Sequence, residues 1–305
     1  MIPNGTKIGR YKIEKSLSEG GGMASVFLAS LADNSKLKVA IKIAQTDSKG
    51  ATHEDVLLQR EAKLLSQWDW RHPAIVRLFP LPHGKSDNYT LRAVEVGNEP
   101  WYIVMEYLRG LSLAQNLKKI EKYPLEWKLE LIYQILVPVS FLHQKGFAHR
   151  DLKPDNIVFR EPISINSTPQ PVLIDFALAT NGEQDYQVLE SCLTVEYSAP
   201  EVIIVSMGAE RSIIEDPRTS DIWSLGIIMY EIITGQLPFK GNRKRIRTTI
   251  IKEQLEPELT GDDPRHHLLA AYLRSMVSRN PKSRPTIKEV LYALEESFLP
   301  PRIII

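Results

Sequence analysis

His149-Arg150-Asp151-Leu152-Lys153-Pro154-Asp155-Asn156 is the stretch on which the reading of this chain turns. It follows a segment in which Leu129, Ile132, Leu136 and Val139 recur every three or four residues, the period of an α-helix, with Pro138 expected to kink it. It precedes two short apolar runs, Ile157-Val158-Phe159 and Val172-Leu173-Ile174, that read as hairpin strands joined across the loop 161–171. The close spacing of Asp151 and Asn156 lets one tight loop aim both side chains inward. Taken alone, such a string is a polar turn capped by Asp and Asn, so the surrounding sequence has to decide.

Upstream, the first hundred residues are rich in short β-branched or alternating runs, at 11–13, 26–29 and 39–43, which read as strands. One helix interrupts them over 54–68, with Val56, Leu57, Ala62, Leu64 and Leu65 on its apolar face, and the chain breaks at His72-Pro73. Strands are expected to resume at Ile75 and over 101–105. Downstream the signal is helical, and a second long helix over 221–234 is ended by Gly235 and Pro238. The expected class is therefore α+β, with a small strand-rich lobe at about 8–105, a join at 106–110, a larger helical lobe over 111–296 and a short tail, 297–305.

The 305 residues, 43% hydrophobic and 25% charged, suffice for a sizeable core. A net charge of +1 spread along the chain gives no reason to expect broad binding to nucleic acid or a membrane surface. The single cysteine, Cys192, excludes an internal disulfide framework and a multi-cysteine zinc site, which fits a cytoplasmic location. The N-terminus lacks an apolar signal-peptide region, and no apolar run is long enough to span a bilayer. The stretches 82–100, 160–171 and 202–218 read as surface insertions, where partner contacts concentrate. Residues 240–247 carry five basic side chains; a solvated loop or helix start is the first reading and docking of an acidic or phosphorylated partner the second.

Other motifs flank the central stretch. Val39-Ala40-Ile41-Lys42 places a lysine on a strand, and Glu61, with Glu54 as the alternative, stands on the following helix to pair with it. Leu17-Ser18-Glu19-Gly20-Gly21-Gly22-Met23-Ala24-Ser25-Val26 joins two strands through three glycines, which let backbone N–H groups approach phosphates closely. Asp175-Phe176-Ala177 ends the apolar run at 172–174. Thr194-Val195-Glu196-Tyr197-Ser198-Ala199-Pro200-Glu201, Asp221-Ile222-Trp223-Ser224-Leu225-Gly226 and the segment around Arg284 complete the series. Phosphoryl transfer needs a phosphate cover, a cation, metal-binding oxygens and a carboxylate for the attacking hydroxyl.

In this order the motifs resemble those of the eukaryotic-like (Hanks-type) serine/threonine protein kinases across residues 8–296, with wording most like bacterial members. The resemblance implies a bilobal kinase-like fold that transfers the γ-phosphoryl of Mg-ATP to Ser or Thr hydroxyls of a protein substrate, with autophosphorylation. It implies that Asp151 orients the hydroxyl and accepts its proton, that Lys153 neutralises the transferring group, and that Lys42, held by Glu61, reaches the ATP phosphates. Asn156 and Asp175 would bind Mg2+. Gly20, Gly21 and Gly22 would cover the phosphates, while Val26, Ala40, Met105, Glu106, Leu108 and Val158 would receive the adenine, Glu106 and Leu108 through backbone groups. Lys153 and Thr194 would mark Ser/Thr specificity, and Arg284 would pair with Glu201. Ala177 and Ser18 stand where the family favours glycine, so altered switching is expected, and a nucleotide-binding scaffold without transfer is the competing reading. Arg150 is the arginine that pairs an activation-segment phosphate in this family.

Overall fold

The computed structural model describes residues 2–18, 24–45, 53–68, 72–81, 88–182, 193–259 and 263–299. They fall into two compact units, one drawn from Met1–Arg109 and Asp175–Ala177, the other from Gly110–Ile174 and Leu178–Ile305.

In the first unit, β1 (Lys7–Ile8), β2 (Tyr11–Ser16), β3 (Ala24–Leu31), β4 (Lys38–Ala44), β5 (Leu78–Phe79), β6 (Leu91–Arg92) and β7 (Trp101–Glu106) build an antiparallel sheet. Its order is β1-β2-β3-β4-β7-β5, with β6 also on β7. Side chains alternate across a strand, so register decides which residues share a face. The pairings Val26↔Lys42, Ala40↔Met105 and Lys42↔Ile103 bring Val26, Ala40, Lys42 and Met105 to one face. The alternate residues Phe27, Ala29, Val39, Ile41, Ile43, Tyr102 and Val104 turn the other way, into a buried core with Tyr11 and Ile13.

The helix α1 (His53–Trp68) packs on β4 and β7 and buries Leu57, Leu58, Glu61, Ala62, Leu64, Leu65 and Trp68. Val56, expected on that face, is 60% exposed, and its neighbour Asp55 is turned inward. One residue is a 100° step around a helix, so a small error in phase exchanges the two. Ile75 is a lone bridge residue held in a turn by its N–H to His72 O at 3.1 Å, and strand pairing starts only at Leu78.

The second unit contains α2 (Leu113–Ile120), α3 (Leu125–Gln144), α4 (Pro200–Ser206), α5 (Arg218–Thr234), α6 (Arg243–Lys252), α7 (Arg265–Met276) and α8 (Ile287–Ser297). It also holds the hairpin of β8 (Ile157–Phe159) and β9 (Pro171–Leu173), in register Ile157↔Leu173. Pro138 lies inside α3. The centre of this unit is α5, whose side chains from Ser220 to Met229 are all buried, and which ends at Gly235 with a left-handed φ of 73°. It packs on α3 and α7. Lys128 of α3 donates to the carbonyls of Glu121 and Ile233, each at 3.0 Å, tying the start of α3 to the end of α5. Arg284 meets Glu201 through two parallel bonds of 2.7 and 2.8 Å, both side chains buried, so this expected pair is formed.

The class is α+β, strand-rich in the first unit and helical in the second, as the sequence suggested. No helix among the described residues is long and apolar enough to cross a membrane.

Gly226 is needed for the approach of α5 to the end of α7: a Cβ there would lie 2.8 Å from Val277 Cγ1 and 3.1 Å from Met276 Cβ. Gly226→Ala is expected to lower stability by about 1–3 kcal/mol, the usual cost of overpacking, read as a lower urea midpoint.

Candidate active site

The first unit gathers three of the expected residues, Lys42, Glu61 and Asp175, around one cation. Lys42, buried on β4, donates from Nζ to Glu61 Oε2 at 2.7 Å and to Asp175 Oδ1 at 2.9 Å. Glu61, rather than Glu54, is the partner, and it is fully buried. Its second oxygen, Oε1, accepts the N–H of Phe176 at 3.1 Å. The Phe176 ring is buried edge-on to Trp68, with centroids 5.5 Å apart. One carboxylate thus fixes both the lysine and the backbone beside Asp175.

Burial alone would push the Lys42 ammonium below the ordinary lysine range, but the carboxylates of Asp175 and Glu61 reverse this and hold it above. Burial pushes Glu61 up, and Lys42 opposes that push. Each Glu61 oxygen accepts a hydrogen bond from an N–H donor, so the carboxylate is the form this geometry requires.

Asp175 carries a left-handed φ of 62°, whereas Ala177 is not among the residues of positive φ. The alanine that replaces glycine therefore sits in a conformation open to any L-residue, and in this arrangement it imposes no left-handed strain. Ala177 N–H points back to Asp175 Oδ1 at 3.4 Å.

Val26, Ala40 and Met105 share the Lys42 face of the sheet. Glu106 ends β7, and its backbone N–H donates to Arg77 O at 2.9 Å, so that N–H is not a group offered to a base. Leu108 follows, buried. The β2–β3 connection is closed by Leu17 N–H and Ser18 N–H to Val26 O, and by Val26 N–H to Ser18 Oγ at 3.1 Å. Ser18, where the family favours glycine, thus closes the hairpin with its hydroxyl. Gly20, Gly21 and Gly22 lie outside the described residues, as does Cys192.

The second unit carries the loop 149–156. Lys153 Nζ donates to both oxygens of Asp151, at 3.0 and 2.8 Å, and lies 3.4 Å from Thr194 Oγ1. Asn156 Nδ2 donates to Asp151 O at 2.8 Å and Oδ2 at 2.7 Å, which directs the amide oxygen the other way. Val158 is half-buried on β8, opposite Val172.

Two anchors of this loop went unassigned in the sequence reading. The fully buried Asp221 accepts His149 N–H on Oδ2 and Arg150 N–H on Oδ1, each at 2.8 Å, and its Oδ2 lies 2.9 Å from His143 Nε2. Arg150 has a φ of 68°, and this carboxylate holds the strained turn in place. Tyr197 OH donates to Glu231 Oε2 at 2.7 Å, and Ser224 Oγ donates to Tyr197 O at 2.8 Å, fastening 194–198 to α5. Burial raises the Tyr197 phenol, and the facing Glu231 raises it further. An aspartate opening an apolar helical run was the available signal for Asp221.

A buried lysine–glutamate pair beside one aspartate, and a loop joining a second aspartate to a lysine and an asparagine, are the parts from which phosphoryl-transfer sites are built. The chain matches the family model of the protein kinase domain over residues 11–294, and it belongs to that family. It is 30% identical over 235 residues to sperm motility kinase 3A of Mus musculus, covering 76% of this chain and 40% of that protein. It is 28% identical over 267 residues to serine/threonine-protein kinase AtPK2/AtPK19 of Arabidopsis thaliana, with 87% and 50% covered. To serine/threonine-protein kinase GIN4 of Saccharomyces cerevisiae it is 26% identical over 297 residues, with 93% and 24% covered. The chain thus spans half or less of the length of these relatives. All three are eukaryotic proteins, so they lend no support to the bacterial wording read from the sequence.

Asp221→Asn replaces one acceptor oxygen by an NH2 group facing a backbone N–H. The catalytic loop should shift, and kcat is expected to fall about 10²-fold, the scale set by a displacement of about 1 Å, while circular dichroism keeps the native helix content. Wild-type kcat in a folded variant would contradict the anchoring role.

Proposed function

We propose that this chain is an ATP-dependent serine/threonine protein kinase. The observation that carries the proposal is the cluster in which Asp151, Lys153 and Thr194 meet while Asn156 orients the aspartate. In the transfer, the oxygen of a substrate Ser or Thr hydroxyl bonds to the γ-phosphorus of ATP as the bond from that phosphorus to the β–γ bridging oxygen breaks, releasing ADP. The hydroxyl proton passes to the Asp151 carboxylate. Lys153, already on Asp151, offsets charge on the moving phosphoryl group, and Lys42 pairs with the phosphates.

Asp175 and Asn156 supply a carboxylate and an amide oxygen, hard donors suited to Mg2+, and Asn156 has its amide N–H groups committed to Asp151, which favours its oxygen for the ion. When bound, Mg2+ supplies neutralisation of phosphate charge. The sheet face bearing Val26, Ala40 and Met105, with Leu108 and Val158, would receive the adenine, and Gly20 to Gly22 would lie over the phosphates. Proximity of Lys153 to Thr194 supports the choice of Ser and Thr as acceptors, and the names of the plant and yeast relatives agree with it. Autophosphorylation is part of the same reading.

The test is Mg2+-dependent transfer of γ-labelled phosphate to a generic protein by the wild type, Asp151→Ala and Asp175→Ala. The wild type should transfer, and each variant should lose at least about 10²-fold. Equal signals from all three would end the enzyme reading.

A further inference from the structure

Residues 240–252 carry Lys240, Arg243, Lys244, Arg245, Arg247 and Lys252 with no acidic residue among them. They lie in the loop before α6 and along α6 itself, which is held to the second unit by buried Ile246 and Ile250. Five of the six are exposed, and Arg247 is half-buried. Several other surface cations of this unit have acidic partners, as in Arg218–Asp216, Arg265–Asp263 and Lys282–Glu215. Among the described residues none of these six has a carboxylate within salt-bridge distance, and Arg247 Nε is enclosed without a hydrogen-bond partner. Asn242 caps the first turn of α6 through Arg245 N–H, so the open charge belongs to the side chains and not to the helix terminus.

This surface is joined to the catalytic loop. Arg243 Nη2 donates to Leu193 O at 2.9 Å, and α6 packs on the turn Val195–Tyr197. Leu193 precedes Thr194, whose hydroxyl lies against the Lys153 that grips Asp151. A peptide offering its hydroxyl to Asp151 and continuing along 193–197 arrives at the cations of α6.

We propose that this basic surface is a docking site for a segment rich in Asp and Glu on the protein substrate, so that the enzyme selects acceptors linked to an acidic stretch. The inference rests on the kinase reading above. Charge complementarity sets the occupant: six cations with no carboxylate opposite them among the described residues attract carboxylates, while the chain's net charge of only +1 gives no general attraction for anions. Polyanion binding in general would not require contact with the segment that carries Thr194.

The test uses the full chain, a Ser-containing peptide with a Glu/Asp-rich stretch, its neutral Gln/Asn counterpart, and a fluorescent acidic peptide with Ala for Ser. The triple variant Lys240→Glu/Lys244→Glu/Arg245→Glu is compared with the triple Gln variant, both checked by thermal melting. The wild type should favour the acidic substrate by about tenfold in kcat/KM, less at high salt. Both variants should lose that preference while phosphorylating the neutral peptide as before, and should bind the Ala peptide more weakly. Equal use of the two substrates by the wild type, a preference surviving both variants, or tighter binding to an RNA oligonucleotide or phosphatidylserine vesicles would overturn the proposal. Charge-dependent binding of the Ala peptide with no transfer to any substrate would uphold the docking site and overturn the kinase reading instead.

Discussion

Taking a carboxylate out of water costs several kcal/mol unless a cation and hydrogen bonds replace the lost hydration. Glu61 is fully buried, and both replacements come from residues placed by different elements: Lys42 from the middle of β4 and the Phe176 N–H from 175–177. Satisfying Glu61 therefore requires α1 in its inward position, β4 in register and the backbone at Phe176 correctly turned. Asp175 then meets the same ammonium, and the face bearing Val26, Ala40 and Met105 is set by the register that presents Lys42. Such a pair adds little net stability. It makes one arrangement of the first unit much better than its neighbours.

The second unit uses the same device with backbone donors. Asp221, at the start of the buried α5, has its carboxylate filled by two N–H groups of the catalytic loop and the imidazole of His143. The left-handed turn at Arg150 is thereby tied to a deeply buried helix at the centre of the unit, and Asp151 projects from that base. Tyr197 and Ser224 fasten the segment bearing Thr194 to that same helix. Asp151 and the segment bearing Thr194 thus share one support, as positioning within fractions of an ångström demands of a working site.

Much of this was legible because period and motif are local properties. The runs at 39–43 and 101–105 were enough to mark two strands and to set Lys42 on one of them, and the eight residues from His149 named the loop whose side chains meet. What escaped was set by tertiary context. Val56 and Asp55 exchanged places because helical periodicity tolerates a one-residue phase error, and the tertiary packing that buries Asp55 is invisible locally. Asp221 looked like an ordinary helix start, since nothing in its neighbours records the loop it anchors some seventy positions earlier. Ala177 looked like a loss of freedom, but the strained φ falls on Asp175 instead.

Lys42 and Glu61 act as one unit, and a double-mutant cycle on the full chain measures that directly. Urea unfolding of the wild type, Lys42→Met, Glu61→Leu and the double variant gives the coupling. Lys42→Met alone should cost about 3–5 kcal/mol, because it strands a buried carboxylate, and adding Glu61→Leu should restore more than about 1 kcal/mol of that loss. Strict additivity of the two substitutions would contradict the account.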